Sequence, residues 1–307
     1  MGSLARLVEI LSRHATAEGM QRTAIPGVSV VRAQSPTLPM PVLYQPTLCL
    51  IAQGRKQVML GRTAYVYHPA KYLLASIDLP VTGAVIEASE EAPYLSLVLD
   101  LNTAELTDLA LRHPVEAPRA EPLDEPLDEM PSAGIALNDT TPALLDAAVR
   151  LVSLLDTPRD IEALSPLVGR EMLYRLLTGP GNHLVRQMAQ AESRLNQIAK
   201  AVAWLRDHYD EPFRIDDLAE IAGMGRSTFH AHFKAVTSLS PLAFRSQLRL
   251  QEARRLMVAE AMDAAGAGFR VGYESPSQFS RDYTRLFGLP PARDAGRLRS
   301  AGRRSAN

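Results

Sequence analysis

Residues 225–236 read Gly225-Arg226-Ser227-Thr228-Phe229-His230-Ala231-His232-Phe233-Lys234-Ala235-Val236. Fifty positions on, the chain reads Ser275-Pro276-Ser277-Gln278-Phe279-Ser280-Arg281-Asp282-Tyr283-Thr284-Arg285-Leu286. Phe229, Phe233 and Val236 recur as Phe279, Tyr283 and Leu286, an i, i+4, i+7 spacing that puts each trio on one face of a helix. The second copy carries strong boundary signals. Ser275 is an N-cap, Pro276 suits the first helical position, Gln278 completes a Ser-x-x-Gln capping box, and Gly288 ends the helix. Gly225 caps the first copy more weakly. These features predict helices over 226–236 and 276–287.

Advancing about 100° per residue from Phe229 places Ser227, Ala231 and Lys234 opposite the apolar face, flanked by Thr228 and His230. The matching set in the second copy is Ser277, Arg281 and Thr284, flanked by Gln278, Ser280 and Arg285. Neither face contains a carboxylate, and short hydroxyl, amide and basic side chains are what major-groove reading uses. His230 and His232 look like a metal pair, but residues two apart on a helix point about 200° away from each other. His230 therefore belongs beside the outward face and His232 near the core.

Upstream of each copy lies a short helical pattern and a glycine turn. Ile215, Leu218, Ala219 and Ala222 lead to Gly223-Met224, and Ala264, Ala267, Gly268 and Val271 lead to Gly272-Tyr273. Small residues allow close helix crossing and glycine allows the tight turn, so the grammar is helix-turn-helix, twice. Ser240-Pro241 opens a long helix between them, through about Val258.

With these motifs in hand, residues 196–294 resemble the DNA-binding domain of the AraC/XylS family of bacterial transcription regulators. The resemblance rests on Asp217-Leu218-Ala219, Ala222-Gly223-Met224, Phe233-Lys234, Arg249-Leu250, Ala253-Arg254, the run Val271 to Arg281, and Phe287-Gly288-Leu289-Pro290-Pro291. Residues 5–101 resemble the family's N-terminal barrel, notably Tyr44-Gln45-Pro46 through Ala52-Gln53-Gly54-Arg55-Lys56. The resemblance implies two recognition helices in successive major-groove segments of double-stranded DNA. It also implies an N-terminal domain for effector binding or dimerisation, and RNA polymerase and a second copy of the chain as partners. Three features depart from the family pattern. Arg214 and Gly225 stand where Ser or Thr caps are usual, Ala231 stands where a longer reader is common, and Gly266 and Gly268 weaken a helix.

The expected DNA contacts are Ser227, Thr228, His230, Ser277, Gln278 and Arg281 toward bases. Lys234, Arg285 and Arg245 are expected toward phosphates, with Arg226 and Ser280 at the margins. Arg281 is the residue best suited to pair bidentately with guanine. The two glycines predict that residues 263–288 are locally unstable until DNA binds.

The N-terminal part reads differently. From Pro26 onward, short β-rich runs alternate with turn residues: Val28–Arg32, Leu48–Gln53, Gln57–Leu60, Thr63–Tyr67, Tyr72–Ile77, Val81–Glu87 and Tyr94–Leu101. Such spacing predicts an antiparallel meander closing into a barrel or sandwich, taken as a cupin-like barrel. Leu95, Leu97, Leu99 and Leu101 alternate as in a half-buried strand. Five prolines among six carboxylates over 114–131 predict a solvated loop. Helices follow over Thr141–Leu155, Ile161–Leu177 and His183–Arg194, the first with a Leu144, Ala148, Leu151, Leu155 stripe that fits either a core or a dimer seam. The fold class is therefore α+β in two domains: 1–182, a linker helix over 183–195, a DNA-binding domain over 196–294, and a flexible basic tail over 295–307.

Charge agrees with that division. The chain has 33 Lys and Arg against 34 Asp and Glu, but residues 1–182 carry 14 against 21, a net −7. Residues 183–307 carry 19 against 13, a net +6, so a polyanion partner is expected for that part alone. His14, His68 and His113 form no His-x-His pair, which argues against a catalytic metal, and no nucleophile constellation or cofactor motif is present. The runner-up readings are a barrel enzyme with an accessory DNA module and a sequence-tolerant architectural DNA binder. Tyr44, Tyr65, Tyr67 and Tyr72 either line a small-molecule cavity or are ordinary strand aromatics, and Tyr44, Cys49, Tyr67 and Tyr72 are the candidate ligand contacts. The lone Cys49, the missing h-region and the absence of a long apolar run lead to the expectation of a cytoplasmic, non-membrane protein.

Overall fold

The structure, a computed structural model, describes residues 2–113 and 133–304. The proline-rich stretch 114–131 read above as a loop lies outside the described residues. After helix α1 (Ser3–His14) come nine strands: β1 (Gly19–Arg22), β2 (Val28–Ala33), β3 (Met40–Tyr44), β4 (Thr47–Gln53), β5 (Arg55–Leu60), β6 (Thr63–Tyr67), β7 (Lys71–Ala75), β8 (Leu79–Glu87) and β9 (Tyr94–Asp100). Helix α2 (Thr103–Arg112), strand β10 (Ile135–Asp139) and helices α3 (Pro142–Ser153), α4 (Ile161–Thr178) and α5 (His183–Ala189) complete this part.

The strands form two antiparallel sheets rather than a closed barrel. One is ordered β1-β2-β9-β4-β7-β10 and the other β3-β8-β5-β6. The chain leaves the small sheet after Tyr67 through a turn in which Ala70 takes φ 67°, and joins the large one at Lys71. The small sheet ends at β3, where Pro41 lacks the N–H that a further ladder would need. β9 is not half-buried as its alternation predicted. It lies between β2 and β4, and Tyr94, Leu95, Ser96 and Leu97 are all buried, so both faces are covered. Strands β1 and β3 escaped the sequence reading because β1 is mostly exposed and β3 only partly buried, so neither shows clean alternation.

Leu144, Ala148 and Leu151 are buried in the common core, which assigns the α3 stripe to packing rather than to a seam. The helix expected over His183–Arg194 stops at Ala189. Ser193 Oγ donates to Gln187 O at 2.6 Å and accepts from Asn196 N at 3.1 Å, capping a new helix, α6 (Arg194–Asp207). Helices α7 (Ile215–Ile221), α8 (Arg226–Thr237), α9 (Pro241–Ala259), α10 (Ala264–Arg270), α11 (Pro276–Phe287) and α12 (Pro291–Arg304) follow. The expected flexible tail from 295 is corrected over 295–304, which continue α12. Ala295 is buried and Arg299 Nη1 donates to Met257 O at 2.6 Å.

Two cores result. The larger runs from the sheets through α3, α4 and α6 to Phe229, Phe233, Phe244 and Leu248. The smaller holds Leu250, Met257, Ala267, Val271, Phe279 and Tyr283 among its members. The sheets meet the C-terminal helices where α9 packs on β3 and β8 and α11 on β3, and further contacts join them. Gly134 N donates to Val236 O at 2.9 Å, while Gly134 O accepts from Ser76 N and Ser76 Oγ, each at 2.9 Å. Arg206 Nη1 donates to Asp78 Oδ2 at 2.7 Å; burial pushes the Asp78 carboxyl above the ordinary range and Arg206 works against that. The β5–β6 turn at Gly61 approaches Ser238 so closely that a Cβ on Gly61 would lie 2.6 Å from Ser238 Cβ.

Candidate nucleic-acid interface

The two short-helix, turn, long-helix units repeat down to their backbone hydrogen bonds. In the first turn Gly223 N donates to Glu220 O at 2.9 Å and Met224 N to Ala219 O at 2.9 Å. In the second, Gly272 N donates to Phe269 O at 3.0 Å and Tyr273 N to Gly268 O at 3.0 Å. Both closures need a left-handed residue, supplied by Gly223 (φ 63°) and Gly272 (φ 85°). The second turn is one residue longer before its cap, since Gly225 caps α8 and Ser275 caps α11.

Capping follows the sequence at Ser275 and Gly288, and of the expected Ser-x-x-Gln box the structure shows the Ser275 half. Ser275 Oγ accepts from Gln278 N at 3.4 Å, and Gly288 closes α11 with φ 75°. Gly225 offers no side chain to α8. At Arg214, the first unit's other unusual cap, the Asp217 carboxylate accepts Arg214 N at 3.2 Å and so supplies half a capping box.

Each long helix buries its aromatic face. Phe229 and Phe233 pack at a tilt with ring centroids 5.5 Å apart and Phe244 beyond, and Phe279 and Tyr283 repeat the 5.5 Å spacing. The opposite faces stand free: Arg226, Ser227, Thr228, His230 and Lys234 on α8, and Ser277, Gln278, Arg281 and Arg285 on α11, are exposed. Ser280 is half-buried at the edge of that face. His232 is 4 % exposed and packs inward, as its wheel position requires.

Two of the basic candidates form ion pairs within the chain. Arg226 Nη1 donates to Asp216 Oδ1 at 3.3 Å, and Arg285 Nη2 to Asp282 Oδ1 at 2.7 Å. Both arginines are well exposed, so such pairs are worth about 0–1 kcal/mol and give way easily to a phosphate. Arg245 lies with its guanidinium 4.8 Å over the Phe213 ring and Nη1 on Glu211 O, set in the frame between the two units. Sequence reasoning did not find Arg249. Its Nε donates to Tyr209 O at 2.6 Å, Nη1 to Gly272 O at 3.0 Å and Nη2 to Asp210 O at 3.0 Å, fastening the second turn to the end of α6. A Cβ at Gly272 would meet Arg249 Nη2 at 2.7 Å, which is a second reason for glycine there.

Of the ligand candidates, the structure brings Tyr44, Cys49 and Tyr67 to the space between the sheets and turns Tyr72 away. Antiparallel partners share a face, so Cys49 lies with its partner Leu73, while Tyr72 lies with Leu50 on the other side of the large sheet. Cys49 is buried, and burial pushes its thiol upward, which suits a packed thiol better than a reactive one. Lys56 and Tyr94 join the group unannounced. The available signal was Lys56 itself, which keeps the inward step of Val58 and Leu60.

Residues 24–184 match the family model described as the AraC-type transcriptional regulator N-terminus, and residues 218–296 match a helix-turn-helix domain model. The HTH-type transcriptional activator RhaS of Escherichia coli O1:K1 / APEC is 26% identical over 151 residues, covering 48% of this chain and 53% of RhaS. The chain thus spans about half the length of the curated relatives it matches. Among solved structures, an apo ToxT from Vibrio cholerae has a TM-score of 0.57 at 11% identity, covering 90% of this chain and 100% of ToxT. A ToxT structure with bound unsaturated fatty acid has a TM-score of 0.55 at 11% identity, covering 87% and 94%. At that identity the likeness is one of fold, and it extends over both parts of the chain. With the first model matching more than half of its length, the chain belongs to the AraC-type transcriptional regulators, a family of regulators and not of enzymes.

Proposed function

We propose that this chain is a sequence-specific regulator of transcription that reads two successive major-groove segments with α8 and α11. The observation that carries the reading is the pairing of two helices, each locked by an aromatic face and each presenting an exposed face without a carboxylate. Ser227, Thr228, His230, Ser277, Gln278 and Arg281 approach bases; Arg226, Lys234, Ser280 and Arg285 sit where the backbone runs. Arg245 braces the frame. Ala231 contributes only a methyl, so the second helix carries more of the hydrogen-bond readout.

The functional division follows 1–182, 183–195 and 196–294, with α12 closing the second unit. The fatty acid on ToxT supports an effector role for the N-terminal sheets, and the likeness to the activator RhaS supports activation through RNA polymerase. A homodimer acting in the cytoplasm completes the reading; no described helix is long and apolar enough to cross a membrane.

Selection of bound duplexes from a random pool by the full chain tests it. The expected product is a bipartite site with its halves about one helical turn apart, preferred over random DNA by about 1,000-fold or more. Selection that yields no consensus returns the protein to the architectural class.

A further inference from the structure

The inner faces of the two sheets hold a polar cluster for which DNA reading has no use. Lys56 on β5 and its ladder partner Tyr67 on β6 share a face with Val58 and Leu60, both of which are wholly buried. Tyr44 from β3 lies with its ring 5.6 Å from Lys56 Nζ. Cys49 and Tyr94 come from the opposing sheet and interact with Lys56. The hydroxyl oxygens of Tyr44, Tyr67 and Tyr94 are all buried, and none forms a hydrogen bond. Only looser approaches, of Tyr44 to Lys56 and Tyr67 and of Tyr94 to Ser96, are set against their desolvation cost.

Among the described residues no carboxylate forms an ion pair with Lys56, and Glu87, across the ladder from Arg55, pairs with Arg55 at 3.2 Å instead. Beside the ammonium the wall carries no side chain at one position. Gly83 stands opposite Val58, and a Cβ there would sit 3.5 Å from Lys56 Cε and 4.0 Å from Tyr44 Oη.

We infer that this cluster binds a small organic acid, its carboxylate received by Lys56 Nζ and the hydroxyls of Tyr44, Tyr67 and Tyr94, with its apolar body along Gly83 and Val85. The inference deepens the effector role given above and rests on it for its consequence, while the chemistry rests on these residues alone. One cation and three hydroxyl donors match a monoanion with two acceptor oxygens. A sugar would demand side-chain acceptors for its own hydroxyls, and a phosphate dianion would call for a second cation or a guanidinium fork. Burial pushes Tyr67 well up and Tyr94 to about 12, so both remain protonated donors at neutral pH. Burial works against the Lys56 ammonium, and with the phenols protonated the charge that favours it is the arriving carboxylate.

The test is calorimetry and thermal melting of the full chain with hexanoate, benzoate and decanoate, each beside its matching alcohol. At least one acid is expected to bind, with its alcohol weaker by about 30-fold or more. Lys56→Met should weaken that acid by a similar factor while raising the melting temperature of the ligand-free protein, because it removes a buried charge that has no counter-ion. Gly83→Val, which puts a branched side chain against Lys56 and Tyr44, should block the acid without altering the circular dichroism, so the inference does not depend on one variant folding. Acid and alcohol binding equally, Lys56→Met or Gly83→Val binding as the parent does, or no acid binding at all, overturns it. Selection of DNA sites by the same preparations separates the two readings. Loss of acid binding with specific DNA binding intact sinks this inference alone, and the reverse sinks the regulator.

Discussion

Phe229 and Phe279 hold the same step of their respective recognition helices, yet they are buried in different bodies. Phe229 belongs to the large core that reaches back into the N-terminal sheets, while Phe279 belongs to the small one built only from the last helices. The ends of the helices differ in the same way. α8 finishes at Ser238, a non-glycine residue at φ 60°, pressed by the Gly61 turn and bonded through Val236 to Gly134. α11 finishes at Gly288 and is held by α12, where wholly buried Asp294 accepts from Arg254 Nε at 2.8 Å and Tyr283 Oη at 2.9 Å. One reader thus buries its aromatic face in the core shared with the N-terminal sheets, and the other buries it in a core of its own while α11 touches β3 from outside. Packed atoms link the sheets to the first reader through the large core, and to the second through α9, the Arg249 bonds and the contact of α11 with β3.

The sharpest way to break this contrast is Asp294→Ala. Removing one partner of a buried charge pair costs about 3–5 kcal/mol, and the loss should appear as faster hydrogen exchange over 263–288 with 215–237 unchanged. Equal loss in both units would mean that they unfold together and the two cores are one. Arg281→Ala asks whether the reader with its own core dominates recognition. It should cost about 1–3 kcal/mol in DNA affinity and relax one base pair of the selected site, and an unchanged site profile would remove Arg281 from the readers. The smallest effect comes from the two glycines of α10. A Cβ at Gly268 would lie 2.9 Å from Phe279 Cγ, whereas at Gly266 its nearest neighbour is 3.4 Å away. Gly268→Ala should destabilise the second unit by about 1–3 kcal/mol and Gly266→Ala should stabilise it by about 0.5–1 kcal/mol, read by thermal melting.

Those glycines also show where reading a sequence succeeds and stops. The weakness of α10 was legible in composition, but the reason for Gly268 was not, because it lies in the crossing of two helices. The aromatic repeat was legible because burial repeats with the helical period, and even His232 could be assigned to the core by angle. The readable strands were those with clean alternation. β3 hides behind Pro41, and β10 pairs with β7 from far along the chain. The break at Ala189 depends on Asn196 Nδ2 reaching back to Met188 O and Gln190 O, a contact no local pattern announces. Tyr72 was grouped with Tyr44 and Tyr67 by type, and only strand register separates them. Lys56 was passed over because lysine in a strand ordinarily reads as solvated, although its inward step was visible.

α9 contributes Phe244 and Leu248 to one core and Leu250, Leu256 and Met257 to the other. That makes it a ruler as well as a link. Each residue inserted near Gln251 would turn one reader about 100° relative to the other and shift it about 1.5 Å. Both readers could then no longer face the same side of a duplex. Operator phase is therefore written in the length of this helix. A lengthened α9 would restore a common face only when the added rotation comes close to a whole helical turn.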